Sequence, residues 1–385
     1  MIETEVLIIG GGPAGSTLAR VLRRAGKDVT VMDKAEFPRD KVCAGWVTPA
    51  VFEELEIDLE DYARSRVLQP IHGFRTGRIG HRQVRSDFPG KPASYGIRRI
   101  EFDHYLLQRS GASLLLGQAF ETMQREAGGW LVNEEIRARL VVGAGGHFCP
   151  VARFIGAKGP GETAVAAQEI EFEMSPRQKT ECRVEGECPE LYFTPDLKGY
   201  GWVFRKGDYL NIGLGREDKH RLSAHVEQFC EYLARIGRIP RDLPAKLKGH
   251  AYLLYPHAVR PLLEDNVLLI GDAAGLAYAQ SGEGIRPAVE SAMLAAGVIL
   301  NCHGEYSEQR LRPYADALEM RFGKREHRPG IATMISPGFR QLLAGWLLKN
   351  RWFSKNLLIS RWFLHKHDKP LTAVNTDVEP RNQFC

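Results

Sequence analysis

The feature that most constrains the fold lies at the N-terminus, where a short apolar run leads straight into a glycine-rich turn. Residues 5–9 (EVLII) predict a buried parallel strand. The turn GGGPAG at residues 10–15 has the spacing GxGxxG, and a helical pattern follows over residues 16–24. A second strand over residues 28–32 ends at Asp33. Strand, turn, helix and strand in this order predict the first unit of a doubly wound parallel sheet.

Three glycines of this turn stand at positions where a side chain would interfere with the turn, with the ligand or with packing. Gly10 permits the tight turn, Gly12 lets the backbone approach a pyrophosphate, and Gly15 allows the helix to pack closely on the strand. The free N–H groups and the positive end of the helix favour a phosphate. Asp33 stands where a carboxylate can bind ribose hydroxyls. We therefore expect a dinucleotide to bind here, with cofactor-binding residues Gly10, Gly12, Pro13, Ala14, Gly15, Asp33 and Lys34.

Composition narrows the class of protein. The 385 residues are 44% hydrophobic and 26% charged, which is typical of a globular chain with two domains or one large domain carrying an insertion. No uncharged apolar stretch reaches about 18 residues, so a membrane-spanning helix is not expected. The seven cysteines are widely scattered and the histidines have no metal-ligand spacing. These patterns predict a cytoplasmic protein with reduced thiols and no metal site.

Three later segments favour FAD over NAD. Residues 99–106 have the pattern RxxFDxxL, which begins at Arg99 and is found in flavoprotein hydroxylases and reductases. A further strand enters the glycines of residues 143–146. The most specific segment is GDAAG at residues 271–275, where a buried strand presents Asp272 at its carboxyl end, the edge at which ligands bind in such sheets. The helix that begins near Gly284 would direct its positive end at the flavin.

Two more segments carry a family resemblance, DKVCAG at residues 40–45 and GYGWVF at residues 199–204. With them the chain resembles the p-hydroxybenzoate-hydroxylase-like FAD superfamily, and within it the geranylgeranyl reductase family. Gly145 stands where related hydroxylases carry an aspartate that contacts cofactor and nicotinamide. The electron donor therefore stays open between NAD(P)H and a protein or other reductant.

The resemblance implies an α/β fold, in which a Rossmann-like FAD-binding domain carries an inserted antiparallel β-sheet substrate domain and a C-terminal helical segment. The FAD-binding domain would comprise residues 1–66, 96–160 and 255–330. The substrate domain would comprise residues 67–95 and 161–254, followed by an amphipathic helical region at 331–370 and a loose tail at 371–385. Besides the N-terminal residues, the cofactor-binding residues implied are Cys43, Ala44, Gly45, Arg99, Phe120, Gly145, Asp272, Gly282, Gly284 and Ile285.

The family chemistry is the reduction of carbon–carbon double bonds in prenyl chains by hydride transfer from N5 of reduced flavin. Tyr200, Trp202 and Phe204 would then line an apolar substrate cavity, although the same alternation also suits plain sheet core. Cys43 is the one catalytic candidate, as a proton relay or a residue that tunes substrate binding. The alternative for Cys43 is a buried small apolar residue.

Two other functions stay open at this stage. One is an FAD-dependent monooxygenase or hydroxylase, or a halogenase-like enzyme, acting on a small aromatic or polyketide, because one scaffold serves all these chemistries. The other is a flavin electron carrier without a substrate of its own, which would need a redox partner protein. The residues do not identify the substrate, the oligomeric state or the pathway.

The C-terminal region carries the charge of the chain. Residues 338–370 contain seven Lys or Arg and one Asp, a formal +6, which leaves about −1 for the rest of a chain whose net charge is +5. Trp346, Trp352 and Trp362 lie in the same segment. A basic, tryptophan-rich amphipathic segment suits a lipid surface at the inner face of a membrane, or a lid over the substrate, or a helical pair docked on the FAD domain. Nucleic acid is not expected as a partner.

Overall fold

The computed structural model describes residues 1–157, 162, 164–218, 221–244, 246–258, 260–325 and 337–372. Over these residues the strands are, in chain order, β1 (Ile2–Ile9), β2 (Val29–Asp33), β3 (Trp46–Val47), β4 (Leu68–Ile71), β5 (Gly73–Arg78), β6 (Val84–Asp87), β7 (Ser94–Ile97), β8 (Ser113–Leu116), β9 (Met123–Glu126), β10 (Gly129–Val132), β11 (Ile136–Gly143), β12 (Val165–Glu173), β13 (Glu190–Phe193), β14 (Gly199–Lys206), β15 (Tyr209–Arg216), β16 (Lys248–Tyr252), β17 (Leu263–Glu264) and β18 (Val267–Leu269).

The α-helices over the same residues are α1 (Pro13–Arg24), α2 (Pro49–Glu54), α3 (Leu59–Ala63), α4 (Arg99–Gln108), α5 (Pro150–Phe154), α6 (Pro176–Glu181), α7 (Leu222–Arg235), α8 (Ile285–Asn301), α9 (Glu308–Leu311), α10 (Pro313–Phe322) and α11 (Pro337–Leu347). Short 3₁₀ turns occupy Tyr255–His257 and Gly271–Ala274, and a π-helix runs over Phe353–Phe363. Among these described helices, none is long and apolar enough to cross a bilayer.

The first sheet has the strand order β17-β18-β11-β1-β2-β8, with β10 and β9 joined to it beside β11. Its central strands are parallel: β1 pairs with β11 on one side and with β2 on the other. The strand residues Val6, Leu7 and Ile8 are fully buried, because helices cover the sheet and no alternate face is left polar. Helix α1 starts at Pro13 directly after the glycine turn and packs against α8. The predicted first strand, turn, helix and second strand are therefore all present.

The second sheet has seven strands in the order β16-β12-β15-β14-β13-β5-β6. All its pairs are antiparallel except β13 with β5. Helix α7 packs on β15 and β12, and the opposite face turns toward the first sheet's glycine turn. A small sheet, β3-β7-β4, lies beside them. The expected fold class, a parallel cofactor-type sheet with an antiparallel second sheet, is confirmed; the domain boundaries stay a prediction.

The C-terminal segment is helical; its π-helix docks on the second sheet, whereas residues 365–371 contact α8, α10 and α2. Lys355 and Lys366 lie over the ring of Phe88, next to β6. Phe363 of the π-helix is buried and stacks on Trp46, with ring centroids 5.6 Å apart. Leu371 is also buried, whereas the remainder of the predicted loose tail, from residue 373, lies outside the described residues.

Candidate functional site

One cavity of about 710 Å³ extends from the glycine turn of the first sheet to the inner face of the second. Its two ends differ in what lines them. We call the part formed by the turn of residues 10–14, Asp33 and Asp272 the glycine end. The part formed by Trp46, Tyr200, Trp202, Phe204 and Tyr252 is the aromatic end. A cavity at the carboxyl ends of parallel strands is the usual place for a cofactor site in such folds.

The glycine turn of residues 10–15 leaves no room for side chains at two of its positions. A Cβ on Gly15 would lie 1.9 Å from the carbonyl oxygen of Gly10, and Gly10 itself has φ +119°. Gly12 is different, because an added Cβ there would meet only Nη2 of Arg39, at 3.3 Å, among the described residues. Gly10 and Gly15 therefore shape the turn, whereas Gly12 offers bare backbone to whatever occupies the cavity.

Asp33 holds the turn as well as lining the cavity. One carboxylate oxygen accepts the N–H of Gly11 at 2.8 Å, and the other accepts the N–H of Ala35 at 2.9 Å. The remaining acceptor sites of this carboxylate are available to hydroxyl groups of a ligand. Lys34 lines the same wall.

Arg99 is placed by a buried ion pair that the sequence analysis did not single out. Its guanidinium donates two hydrogen bonds to Asp103, at 2.7 and 2.8 Å, within helix α4. Arg39 approaches the same carboxylate at 3.3 Å. Asp103 is the acidic residue of the RxxFD motif, so the motif itself encodes this bidentate pair. The pair holds Arg99 in the cavity wall.

Asp272 lies in a polar cluster that spans the two sheets. His250 Nε2 of β16 is 3.7 Å from Asp272, and the Lys41 ammonium lies 3.0 Å from the other ring nitrogen of His250. Burial lowers the pKa of Lys41 to about 8, and the neighbouring Arg99 adds to this shift. Burial also lowers the pKa of His250. Sequence reasoning missed both basic residues: Lys41 stood inside a quoted motif, but nothing local marked His250.

The loop of residues 281–284 closes the cavity above Asp272. A Cβ on Gly284 would lie 2.9 Å from the Asp272 carboxylate, so the loop backbone rests directly on this side chain. Helix α8 begins at Ile285, and its first turn lines the cavity. Glu283, in the middle of this loop, also lines the cavity, although sequence analysis gave it no role.

The aromatic end is built mainly on β14. Tyr200, Trp202 and Phe204 alternate along the strand, share one face and all line the cavity. The polar atoms of two of these side chains form hydrogen bonds within the protein. The Trp202 indole N–H donates to Asn211 at 2.7 Å, and the Tyr200 hydroxyl donates to the Ser281 carbonyl. What remains toward the cavity is largely ring surface.

Cys43 lies between the two ends, on the turn that leads into β3. Its backbone N–H donates to Glu169 at 2.6 Å, and its thiol sulfur accepts the N–H of Gly45 at 3.4 Å. Burial raises the pKa of Glu169 to about 7. The ammonium of Lys206 donates to the carbonyls of Ala44 and Ile97, each at 3.0 Å, and pairs with Glu171. A buried charge network therefore fixes the backbone beside Cys43.

Most of the remaining predicted site residues line the cavity, and two of them do not. The cavity wall includes Pro13, Ala14, Ala44, Phe120, Gly145, Gly282, Gly284 and Ile285. Gly15 and Gly45 do not line it. Gly45 has φ +63°, and a Cβ there would lie 2.1 Å from the Ile97 carbonyl oxygen, so it serves the turn that carries Cys43.

A side-chain grouping outside the cavity was not singled out from sequence spacing. The potential ligand atoms of His365, His367 and Asp368 lie within 4.8 Å of one another. Arg286 and Arg321 donate to backbone carbonyls of the same segment. Two guanidinium groups so close disfavour a bound cation, and no ion site is inferred there.

Comparison with known proteins places the chain among flavoproteins. Residues 3–67 match the FAD binding domain family. The menaquinone reductase of Mycobacterium tuberculosis is 30% identical over 318 residues, which are 77% of this chain and 76% of that protein. Digeranylgeranylglycerophospholipid reductase 3 of Methanosphaera stadtmanae is 26% identical over 340 residues, 84% of each chain. A geranylgeranyl bacteriochlorophyll reductase-like protein of Thermoplasma acidophilum has the same fold, with a TM-score of 0.76, 23% identity and coverage of 91% and 92%.

Proposed function

The chain belongs to the geranylgeranyl reductase family of FAD-dependent oxidoreductases, and on that basis we propose that it reduces isolated carbon–carbon double bonds in the prenyl chain of a lipid. The predicted cofactor, FAD, and the predicted enzyme class are confirmed by these matches. The observation that carries the proposed substrate class is the continuity of one cavity, with a backbone-lined glycine end and a ring-lined aromatic end.

The residues of the glycine end fit FAD. Gly12 offers bare backbone where a pyrophosphate approaches the start of α1, and the Asp33 carboxylate has acceptor sites left for ribose hydroxyls. Asp272 stands at the carboxyl end of β18, where it would hold the ribityl chain. When reduced, FAD supplies the hydride of the reduction.

The aromatic end suits an apolar chain because it presents mainly ring surface, and the polar atoms of Tyr200 and Trp202 are already hydrogen-bonded within the protein. An isolated double bond offers no group for hydrogen bonding, so the protein must hold it by shape and by exclusion of water. Rings from Trp46, Tyr200 and Phe204 provide such a surface, and Phe363 packs behind Trp46 and Tyr200. A substrate with many polar groups would leave them unpaired here.

The names of the relatives support two chemical classes of candidate lipid. Their names refer to a digeranylgeranylglycerophospholipid and to menaquinone. We therefore propose a prenylated glycerophospholipid or a prenylated quinone as the substrate. Cys43, between the two ends, keeps its predicted role as a proton relay or a residue that tunes substrate binding.

A lipid substrate needs a route from the membrane, and the C-terminal segment offers a surface for it. The side chains of Leu342, Trp346 and Trp352 are 74%, 64% and 69% exposed. Lys349 and Arg351 are exposed beside them. Exposed indoles next to basic side chains favour the headgroup region of an anionic bilayer. We propose that this surface rests on the membrane while the cavity receives the prenyl chain.

The test is an anaerobic single-turnover reaction. FAD-loaded protein is reduced with dithionite and then mixed with vesicles that contain either a geranylgeranylated glycerophospholipid or menaquinol, whose headgroup is already reduced and cannot accept electrons from the flavin. We expect the flavin to be reoxidised without oxygen, and mass spectrometry to show two added hydrogen atoms per saturated bond. Failure with both lipids, together with oxygen-dependent hydroxylation of a phenol, would replace the reductase with a monooxygenase. Reoxidation only by an added redox protein would indicate an electron carrier.

A further inference from the structure

Glu283 is an acidic residue that lines the cavity and has no role in the proposed binding of FAD or of the substrate. It stands in the loop between Ser281 and Gly284, directly before α8. Its Oε1 atom is shielded from solvent and has no hydrogen-bond partner among the described residues, while the backbone N–H of Arg286 hydrogen-bonds to the carboxyl group. An ionised oxygen in that position would be costly, whereas a protonated carboxyl is tolerated much better.

The charged and titratable groups around this carboxyl belong to α8, β14 and the preceding loop. They are Arg286, Glu290, Tyr200 and Tyr278. Burial raises the pKa of Glu283 to about 8; Arg286 opposes this shift, and the negative Glu290 adds to it. At neutral pH the group therefore carries its proton.

Arg286 neutralises Glu283 only in part, because its guanidinium is engaged elsewhere. Its guanidinium lies 2.8 Å from Glu290 and 3.4 Å from Glu54, both fully buried. It also donates to the carbonyl of Asp368, at 2.9 Å. The positive charge of the Arg286 guanidinium is thus shared among other acceptors. The Glu283 carboxyl therefore keeps its proton.

The tyrosine and lysine side chains of the cavity are less suitable donors to an alkene. The Tyr200 hydroxyl already donates to Ser281, and burial raises the pKa of Tyr200 and of Tyr252 well above the usual value. Lys41 lies against His250 at the glycine end. Among the described residues that line the cavity, Glu283 offers a carboxyl group whose pKa burial raises to about 8, so that it holds a proton near neutral pH.

We propose that Glu283 donates the proton that completes the reduction, a role that rests on the proposed function. The π bond breaks, one carbon takes the hydride and its electron pair, and the other takes the proton from the carboxyl. Two C–H bonds form, the carboxyl O–H bond breaks, and the carboxylate regains a proton from water. The electron pair comes from a two-electron reductant, a nicotinamide or a reduced protein, by way of the cofactor. Glu283 would thus be a catalytic residue at the start of α8, where the aromatic and glycine ends meet.

The experiment compares the wild type with Glu283→Gln, which keeps the size of the side chain and removes its acidic proton. Dithionite-reduced, FAD-loaded protein is mixed anaerobically with the prenylated lipid that the wild type reduces, on both sides of pH 8. We expect the variant to react roughly 100-fold more slowly, with unchanged FAD loading and flavin absorbance. Glu217→Gln is the matched control, because Glu217 is an exposed carboxyl outside the main cavity.

The pH profile separates a proton donor from a merely structural residue. An acid must be protonated to act, so the wild-type rate should fall as pH rises through about 8, and this fall should be absent in Glu283→Gln. Lys41 titrates in the same range but is present in both proteins, so the difference between the two profiles belongs to Glu283. Should Glu283→Gln fail to fold, Glu283→Asp retains an acid and is expected to keep the alkaline fall at a reduced rate.

Two negative outcomes are distinguishable. A wild type that reduces prenyl lipids, alongside a Glu283→Gln variant with the same rate and profile, would overturn the donor role and leave the proposed function standing. A wild type that reduces no prenyl lipid would overturn both. Infrared spectra of the FAD-loaded proteins provide a readout apart from turnover. The carboxylic acid band is expected to fade above pH 8 in the wild type and to be missing in Glu283→Gln, and a wild type without that band would also overturn the proposal.

Discussion

The two ends of the cavity are built in opposite ways. The glycine end is made of the backbone of one continuous turn together with the carboxylates of Asp33 and Asp272, and the turn tolerates no side chain at Gly10 or at the adjoining Gly15. The aromatic end is made of side chains that come from β3, β14 and β16 and are backed by the C-terminal π-helix. A backbone site depends on steric exclusion within a few residues, whereas a side-chain site depends on packing between distant elements. The two ends should therefore fail differently when mutated.

The largest effect is expected at the glycine end, where the shape of the turn and the binding of FAD can be separated. Gly15→Ala places a Cβ 1.9 Å from a carbonyl oxygen and should destabilise the fold by about 3 kcal/mol or more. Among the described residues, Gly12→Val meets only the flexible end of Arg39, at 3.3 Å, and should destabilise the fold by no more than about 2 kcal/mol as a change of N-cap residue, while losing almost all bound flavin. Thermal unfolding and flavin absorbance per protein measure the two quantities.

The comparison between Gly12 and Gly15 has a clear contrary result. A Gly12→Val protein with full FAD occupancy would mean that the cofactor does not approach this backbone. Equal destabilisation of both variants would mean that the turn acts as one steric unit, without a separate binding position.

The next effect is expected at the aromatic end, where Phe363→Ala removes a buried ring. Phe363 stacks on Trp46 and lies 5.4 Å from the Tyr200 ring, so we expect a loss of about 3–5 kcal/mol in the free energy of unfolding. FAD loading of the folded fraction should not change, but the KM for the prenyl lipid should rise. Phe154→Ala, at a half-exposed ring near the glycine end, is the control and should cost much less. Loss of flavin in Phe363→Ala would show that the two ends are not independent.

The smallest effect concerns the outer surface of the C-terminal segment. Removing both exposed indoles, Trp346→Ala and Trp352→Ala, should weaken binding to anionic vesicles roughly tenfold, or about 1.4 kcal/mol, because less apolar surface is buried. Flavin loading and thermal stability should stay the same. Met320→Ala, a 77% exposed side chain on α10, is the matched control. A sedimentation assay compares vesicle binding by the wild type, the double tryptophan variant and Met320→Ala. Equal binding by all three would show that the exposed indoles do not form a membrane contact.

Much of the fold and of the glycine end could be predicted from the sequence. The GxGxxG turn, Asp33 and the GDAAG segment are local patterns, and their positions in the cavity wall follow from strand order alone. The RxxFD motif even contains the buried pair of Arg99 and Asp103, although the pairing itself was not foreseen. The roles of the individual site residues stay predictions until the variants above are measured.

The sequence by itself determined the βαβ unit, its cofactor and its family, because steric demands on glycines and the periodicity of buried strands are encoded within short stretches of chain. Only the tertiary structure decided which distant side chains meet. It brought His250 to Lys41 across 209 positions, placed Phe363 behind Tyr200, and buried the Glu283 carboxyl so that burial raises its pKa to about 8. Desolvation and charge proximity depend on the packing of whole elements, and no local pattern specifies them.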